Sequence, residues 1–262
     1  MKRTIAMIAT IVSAAAVTLS GATAAHAHFG LNPAGLRAAA ARSVVAQQTA
    51  GKTKSLPTFS RYTTKKAITH CQNTTGKAML TFDDGASPAA AKSILATLKS
   101  NNVLGAFFFT GDFARANPSI MRQIAAAGHI IGNHSSTHKA LNSLSDAGLA
   151  KEITQGVRGN TRNMLLRPPY GAGVFDARVA KTASNHGYGL CYWTVDTRDW
   201  DNKNTKSAAD IVRRVSVGDK WTPPLRKGGV VLMHGTAKFT PAALQGVIDV
   251  ARKKGINLMP LS

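Results

Sequence analysis

The sequence predicts an α/β fold organised on a parallel sheet. Three observations carry that prediction. From about residue 71 onward, short apolar runs alternate with helical patterns. Five polar islands each close or follow an apolar run, at the C-terminal ends of the expected strands, where α/β enzymes place their chemistry. No repeat of fixed period runs through the chain, which excludes a solenoid. Periodicity alone leaves open whether the sheet closes into a barrel.

The elements follow in order. Lys77 to Phe82 reads as a first strand. Ser87 and Pro88 start a helix, one as N-cap and one in the first turn, running to about Ser100. Leu104 to Thr110 is a second strand, and a helix from Pro118 to about Ala127 stops at Gly128. Ile130 and Ile131 form a third strand, followed by a helix from about Ser145 to Gly159 capped by Ser143 or Ser145. Met164 to Leu166 is a fourth strand, Asp176 to Asn185 a helix, and Gly189 to Thr194 a fifth strand. Ser207 to Val217 is a helix and Gly229 to Met233 a sixth strand. The last helix runs from Pro241 to Lys254 and stops at Gly255, with Ile256 to Met259 as a seventh strand.

Ahead of this body, residues 1–27 read as a secretory signal. Lys2 and Arg3 lead an apolar run from Ile5 to about Leu19, and Ala25-His26-Ala27 offers a cleavage site, with Ala22-Thr23-Ala24 as the alternative. The run is short for a membrane anchor, and no later segment is apolar enough to span a bilayer. Residues 28–70 are a basic, low-complexity lead with no acidic residue. The chain carries 33 Lys and Arg against 12 Asp and Glu, a net charge of +21 that falls to about +19 once the signal is removed. An exported protein this basic is expected to meet anionic cell-wall polymer or a membrane surface rather than nucleic acid. The two cysteines, Cys71 and Cys191, are free to pair in an oxidising compartment or to remain separate thiols. C-x-x-C spacing is absent, which argues against a thiolate metal site.

The islands hold the chemistry. His134 and His138 flank only Ser and Thr, and neutral imidazoles are common zinc ligands. Asp83-Asp84 ends the first strand, where adjacent side chains diverge, so one carboxylate can bind a metal while the other faces a water. In a chain where Glu152 is the sole Glu, two adjacent acids favour function over a solvated turn. Arg167-Pro168-Pro169-Tyr170 is a stiff exit from the fourth strand whose Arg can clamp a carboxylate, with an amide near Tyr170 available to an oxyanion. Asp199 and His234 suggest a carboxylate-oriented imidazole able to protonate a leaving group, with Trp200 and Leu232 as a small apolar wall. His70, His129 and His186 carry no such context and read as structural.

Together TFDDG, HSSTH, RPPYG, DTRDW and LMH, in this order over residues 71–262, resemble the motifs of the polysaccharide deacetylase family, carbohydrate esterase family four. Ala86 departs from the family, which often has Pro there. The resemblance implies a distorted (β/α) barrel with about seven parallel strands. It implies Asp83 as base and Asp84, His134 and His138 as ligands of a divalent metal, zinc first, with cobalt or nickel as alternatives. It implies that Arg167 positions Asp83, that the Tyr170 backbone amide binds the oxyanion, that Asp199 tunes the acid His234, and that Trp200 and Leu232 shape an acetate pocket. The expected protein is a secreted or wall-associated monomer removing N-acetyl groups from peptidoglycan or chitin. An acetylxylan O-esterase and a catalytically inactive wall-binding module are the alternatives.

Overall fold

The computed structural model describes residues 56–59 and 61–261. The expected signal, and most of the basic lead, lie outside the described residues. Among the described residues no helix is long and apolar enough to cross a membrane.

In chain order the elements are α1 (Lys65–Thr69), β1 (Met79–Asp84), α2 (Pro88–Ser100), β2 (Gly105–Phe109), α3 (Gly111–Ala116), α4 (Pro118–Ala126) and β3 (Ile130–Asn133). They continue with α5 (Asp146–Thr154), β4 (Met164–Leu166), α6 (Ala177–Asn185), β5 (Tyr188–Leu190), β6 (Val195–Asp196), α7 (Ala208–Val217), β7 (Val230–His234) and α8 (Thr240–Lys253). Ser87 caps α2 as expected, its hydroxyl accepting from the Ala90 amide at 3.2 Å with Pro88 in the first turn.

Seven strands form one sheet in the order β5-β4-β3-β2-β1-β7-β6, every pair parallel. The two edge strands, β5 and β6, are joined by only residues 191–194. A flat sheet would set these edges about 29 Å apart at ordinary strand spacing. Five Cα steps reach at most about 19 Å. The sheet therefore curls into the distorted barrel that the resemblance implies.

Side-chain alternation sorts the strands into an outer and an inner face. Leu80, Phe82, Phe107, Phe109, Val231 and Met233 pack outward against the helices, while Met79, Ala106, Phe108, Leu165 and Val230 pack inward. By the same period Thr81, Asp83, Arg167, Leu232 and His234 belong to the inner face, toward its C-terminal mouth. The chain before Cys71 contributes as well: Phe59 joins the inner cluster and Ile68 a third cluster under α5 and α6. Cys71 and Cys191 form a disulfide, tying that entry segment to the crossover between the sheet edges.

Three expectations are corrected. The fifth strand stops at Leu190 instead of reaching Thr194, because the crossover leaves β4 there: the Tyr192 amide turns to Ile68 and the Thr194 amide to Val230. The chain then forms β6, which the sequence reading does not contain. Ile256 to Met259 is not a strand: Leu258 makes only an isolated bridge to Ala78. The helix expected to reach Gly159 ends at Thr154, where the chain turns to pack beneath Asn133.

Candidate active site

The mouth of the barrel brings all five islands together. In β1, Asp83 faces inward by strand alternation, and its neighbour should face out. Asp84 instead adopts a left-handed φ of 70°. Both carboxylates consequently meet the same imidazole: His134 Nε2 lies 3.8 Å from Asp83 Oδ2 and 3.4 Å from Asp84 Oδ1. The expected divergence of the two acids is thus undone by one backbone torsion.

His134 and His138 leave the end of β3 on a loop with two more left-handed residues, Ser135 at 65° and His138 at 63°. With Tyr170 at 60° and Arg198 at 51°, five of the eight non-glycine residues in this sparsely populated region among the described residues lie in the islands. Each costs about 1–3 kcal/mol and persists only where the surroundings over-determine it. For the histidine loop they do. Asn133 accepts the Ser135 amide at 2.8 Å and donates to the Ile153 carbonyl at 2.9 Å. A Cβ at Gly156 would strike that asparagine, so the turn after α5 requires glycine.

Both imidazoles are oriented through Nδ1. His134 Nδ1 donates to the Arg167 carbonyl at 2.7 Å, and His138 Nδ1 meets the Tyr170 hydroxyl at 3.0 Å. Both Nε2 atoms are thereby turned toward Asp84, at 3.4 and 3.2 Å from its Oδ1. Burial would raise the Asp84 pKa, but the hydrogen bonds of His134 and His138, with the charges of His134 and His234, hold it well below the carboxylate range.

Asp84, His134 and His138 offer one donor atom each, all within 4.8 Å of one another. Two imidazoles and a carboxylate suit zinc, and edges of 3.2–3.4 Å match a small polyhedron with bonds of about 2.1 Å. The Nδ1 partners are the outer-sphere hydrogen bonds that metal-binding histidines need. The donor set fits a divalent ion with positions left for solvent or substrate.

Asp83 is 2% exposed and Arg167 wholly buried. Arg167 Nη1 donates to Asp83 Oδ1 at 2.7 Å and to the Thr81 hydroxyl at 2.8 Å. Its other amino group reaches Cys191 Sγ at 3.2 Å and the Tyr192 carbonyl at 3.1 Å. The guanidinium lies 4.3 Å from the Phe108 ring centre. Burial lowers the Arg167 pKa, with the charge and hydrogen bond of Asp83 opposing it.

Opposite, Asp199 is 1% exposed and holds His234 twice. Oδ1 takes Nδ1–H at 2.7 Å and Oδ2 takes the backbone amide at 2.7 Å, with the Thr240 hydroxyl as a third donor. Burial works against the charged imidazole, but the Asp199 hydrogen bond and charge, and the charges of Asp83 and Asp84, raise its pKa to about 9. Its Nε2 then carries a proton at neutral pH. Leu232 is buried on β7 and Trp200 is half exposed, stacked on Arg198 at 4.9 Å.

Asp196, the remaining island acid, stays apart from the metal trio and accepts the Arg198 amide at 2.8 Å. His70, His129 and His186 do not join the trio either. His129 is fully buried, accepts the Gly105 amide at 3.2 Å, and is pushed by burial down to about 4, a neutral core histidine. Sequence reasoning missed Asn133, Glu152 and Thr240. Glu152 alone carried a signal, as the single Glu of the chain.

The family model for polysaccharide deacetylase matches residues 71–191. Peptidoglycan-N-acetylmuramic acid deacetylase PdaA of Bacillus subtilis is 30% identical over 67% of this chain, which spans 66% of PdaA. The solved family 4 carbohydrate esterase of Streptomyces lividans, in complex with acetate, is 32% identical, with 72% of this chain and 94% of that one covered at a TM-score of 0.60. A Bacillus anthracis pseudoenzyme of the same family is 26% identical over 71% of this chain and 64% of that one, at a TM-score of 0.62.

Proposed function

This chain belongs to the polysaccharide deacetylase family, and on that premise we propose that it is a secreted, metal-dependent de-N-acetylase of N-acetylglucosamine-containing polysaccharide, with peptidoglycan ahead of chitin. One observation carries the reading: a buried carboxylate paired with Arg167 and an Asp199-held imidazole flank a three-donor metal trio. The family supports hydrolysis of acetyl groups. The net charge of +21 supports retention on an anionic wall.

Asp84, His134 and His138 would hold the ion, which would supply Lewis-acid polarisation of the acetyl carbonyl and a lowered pKa for water. Asp83, held in place by Arg167, takes a proton from the attacking water as the new carbon–oxygen bond forms. The backbone amide of Tyr170 donates to the developing oxyanion. His234 gives its Nε2 proton to the sugar nitrogen as the carbon–nitrogen bond breaks, and Asp199 offsets the charge it carries beforehand. Trp200 and Leu232 flank the acetyl methyl. Acetate and a free amine leave.

Residues 1–27 act in this reading as a cleaved signal and the basic lead as a wall tether, with the protein a monomer. The native ion is zinc by its ligands, with cobalt and nickel accommodated by the same set. The sequence similarity to a pseudoenzyme keeps an inactive wall-binding module as a second reading; intact Asp83 and an intact trio favour the hydrolase. Acetate release from peptidoglycan, chitin oligomers and acetylated xylan tests the substrate class. Release from the xylan alone would replace the amidase with an O-esterase.

A further inference from the structure

The loop between the two histidines is the least self-sufficient part of the metal site. It carries two left-handed non-glycine residues, and its backbone amides are turned away from any strand partner. Ser135 and His138 satisfy theirs locally, through Asn133 Oδ1 at 2.8 Å and Ser135 Oγ at 3.0 Å. The two middle amides do not. Ser136 and Thr137 both donate to one oxygen of Glu152, Oε2, at 3.0 and 2.8 Å. The Thr137 hydroxyl donates to the other, Oε1, at 2.7 Å.

Glu152 stands outside every motif, on α5, and is 7% exposed. A buried carboxylate costs free energy unless its oxygens are filled, and here three donors from one loop fill them. Leu149 and Ile153 pack α5 into the core on either side of it, so the carboxylate is presented from a fixed support. Glu152 touches neither the metal donors nor a substrate position. What it fixes is the path of the three residues that set where the two imidazoles stand relative to Asp84.

We propose that Glu152 is the positioning residue that sets how tightly Asp84, His134 and His138 hold a divalent ion, acting through the loop between the two histidines. The inference rests on the metal-site reading above. Outer-sphere partners of metal ligands are worth roughly 10–100-fold in affinity. A carboxylate that holds the backbone joining two ligands belongs to that class. Glutamine keeps the length and one accepting oxygen for the two amides, and its NH2 can donate to the Thr137 hydroxyl. Alanine removes all three bonds.

The test is zinc affinity of the full chain, measured by competition with a chromophoric chelator, for the parent, Glu152→Ala, Glu152→Gln and Leu149→Ala. The last truncates a core side chain of the same helix and serves as the purely structural control. The expected result is a roughly 10–100-fold loss for Glu152→Ala. Glu152→Gln should lie nearer the parent, and Leu149→Ala should lower the melting temperature while keeping parental affinity. Equal affinity of Glu152→Ala and parent would overturn the inference, as would an equal loss in Leu149→Ala. If Glu152→Ala does not fold, Thr137→Val, which removes one of the three bonds, decides with Glu152→Gln. Weakened binding in Thr137→Val supports the inference, and parental affinity in both variants overturns it. A folded parent that binds no zinc would overturn the metal-site reading itself, and this inference with it.

Discussion

Arg167 donates to Asp83 at 2.7 Å while its other amino group lies 3.2 Å from Cys191, so the candidate base and the disulfide are tied to one fully buried side chain. That arrangement makes the base dependent on a single cation. Arg167→Met should leave Asp83 buried without its cationic hydrogen-bond partner. Breaking such a pair costs about 3–5 kcal/mol. Urea unfolding should show that loss, and deacetylation by the remaining folded protein should fall by at least about a hundredfold, the usual scale for a lost general base.

Removing the crosslink acts on the same side chain from the other direction. Cys71→Ala with Cys191→Ala should cost about 2–5 kcal/mol, since the bridge closes a long loop. The crossover also carries the Tyr192 carbonyl that Arg167 uses, so activity should drop beyond what the unfolded fraction explains. Thermal unfolding with activity at a temperature where both proteins are folded separates the two effects.

The titration of His234 gives a signed pH dependence. Its folded value is raised from 6.5 to about 9: burial opposes, and Asp199, Asp83 and Asp84 prevail. A raised value means stabilisation that is fully present below about pH 6.5 and lost as pH rises through about 9. The acid form needed for catalysis follows the same titration. The alkaline limb of kcat/KM should therefore fall near pH 9, and Asp199→Asn should move that limb down toward 6.5. A limb that Asp199→Asn leaves in place would remove His234 from the role of acid.

Metal removal should be visible without substrate. An ion that binds only the folded chain adds about 2.7 kcal/mol at a hundredfold excess over its Kd. Exhaustive chelation should lower the melting temperature and returned zinc should restore it. His134→Ala, which removes one of the three donors, should abolish the response.

Much of this site is legible in the sequence because its parts are strand ends. An apolar run terminated by a polar pair or triplet fixes both the strand and the mouth at which its side chains emerge, as for Asp83 on β1 and His234 on β7. Three things are not legible, each for a physical reason. The left-handed turn at Asp84 comes from tertiary restraint and leaves no glycine to announce it. The strand Val195–Asp196 is two residues long and exists because the sheet curls, a non-local event. Glu152 reaches the histidine loop from a helix on which it reads as one more polar residue; only its singularity in the composition sets it apart.

The central claim is that Asp83 is the base of a metal-dependent deacetylase, and acetate release tests it most directly. Peptidoglycan would be incubated with the zinc-loaded protein, the chelated protein and zinc-loaded Asp83→Asn. The account predicts release by the first alone, with the variant still folded and still binding zinc. Equal release by Asp83→Asn and parent, or release undiminished by chelation, would contradict it.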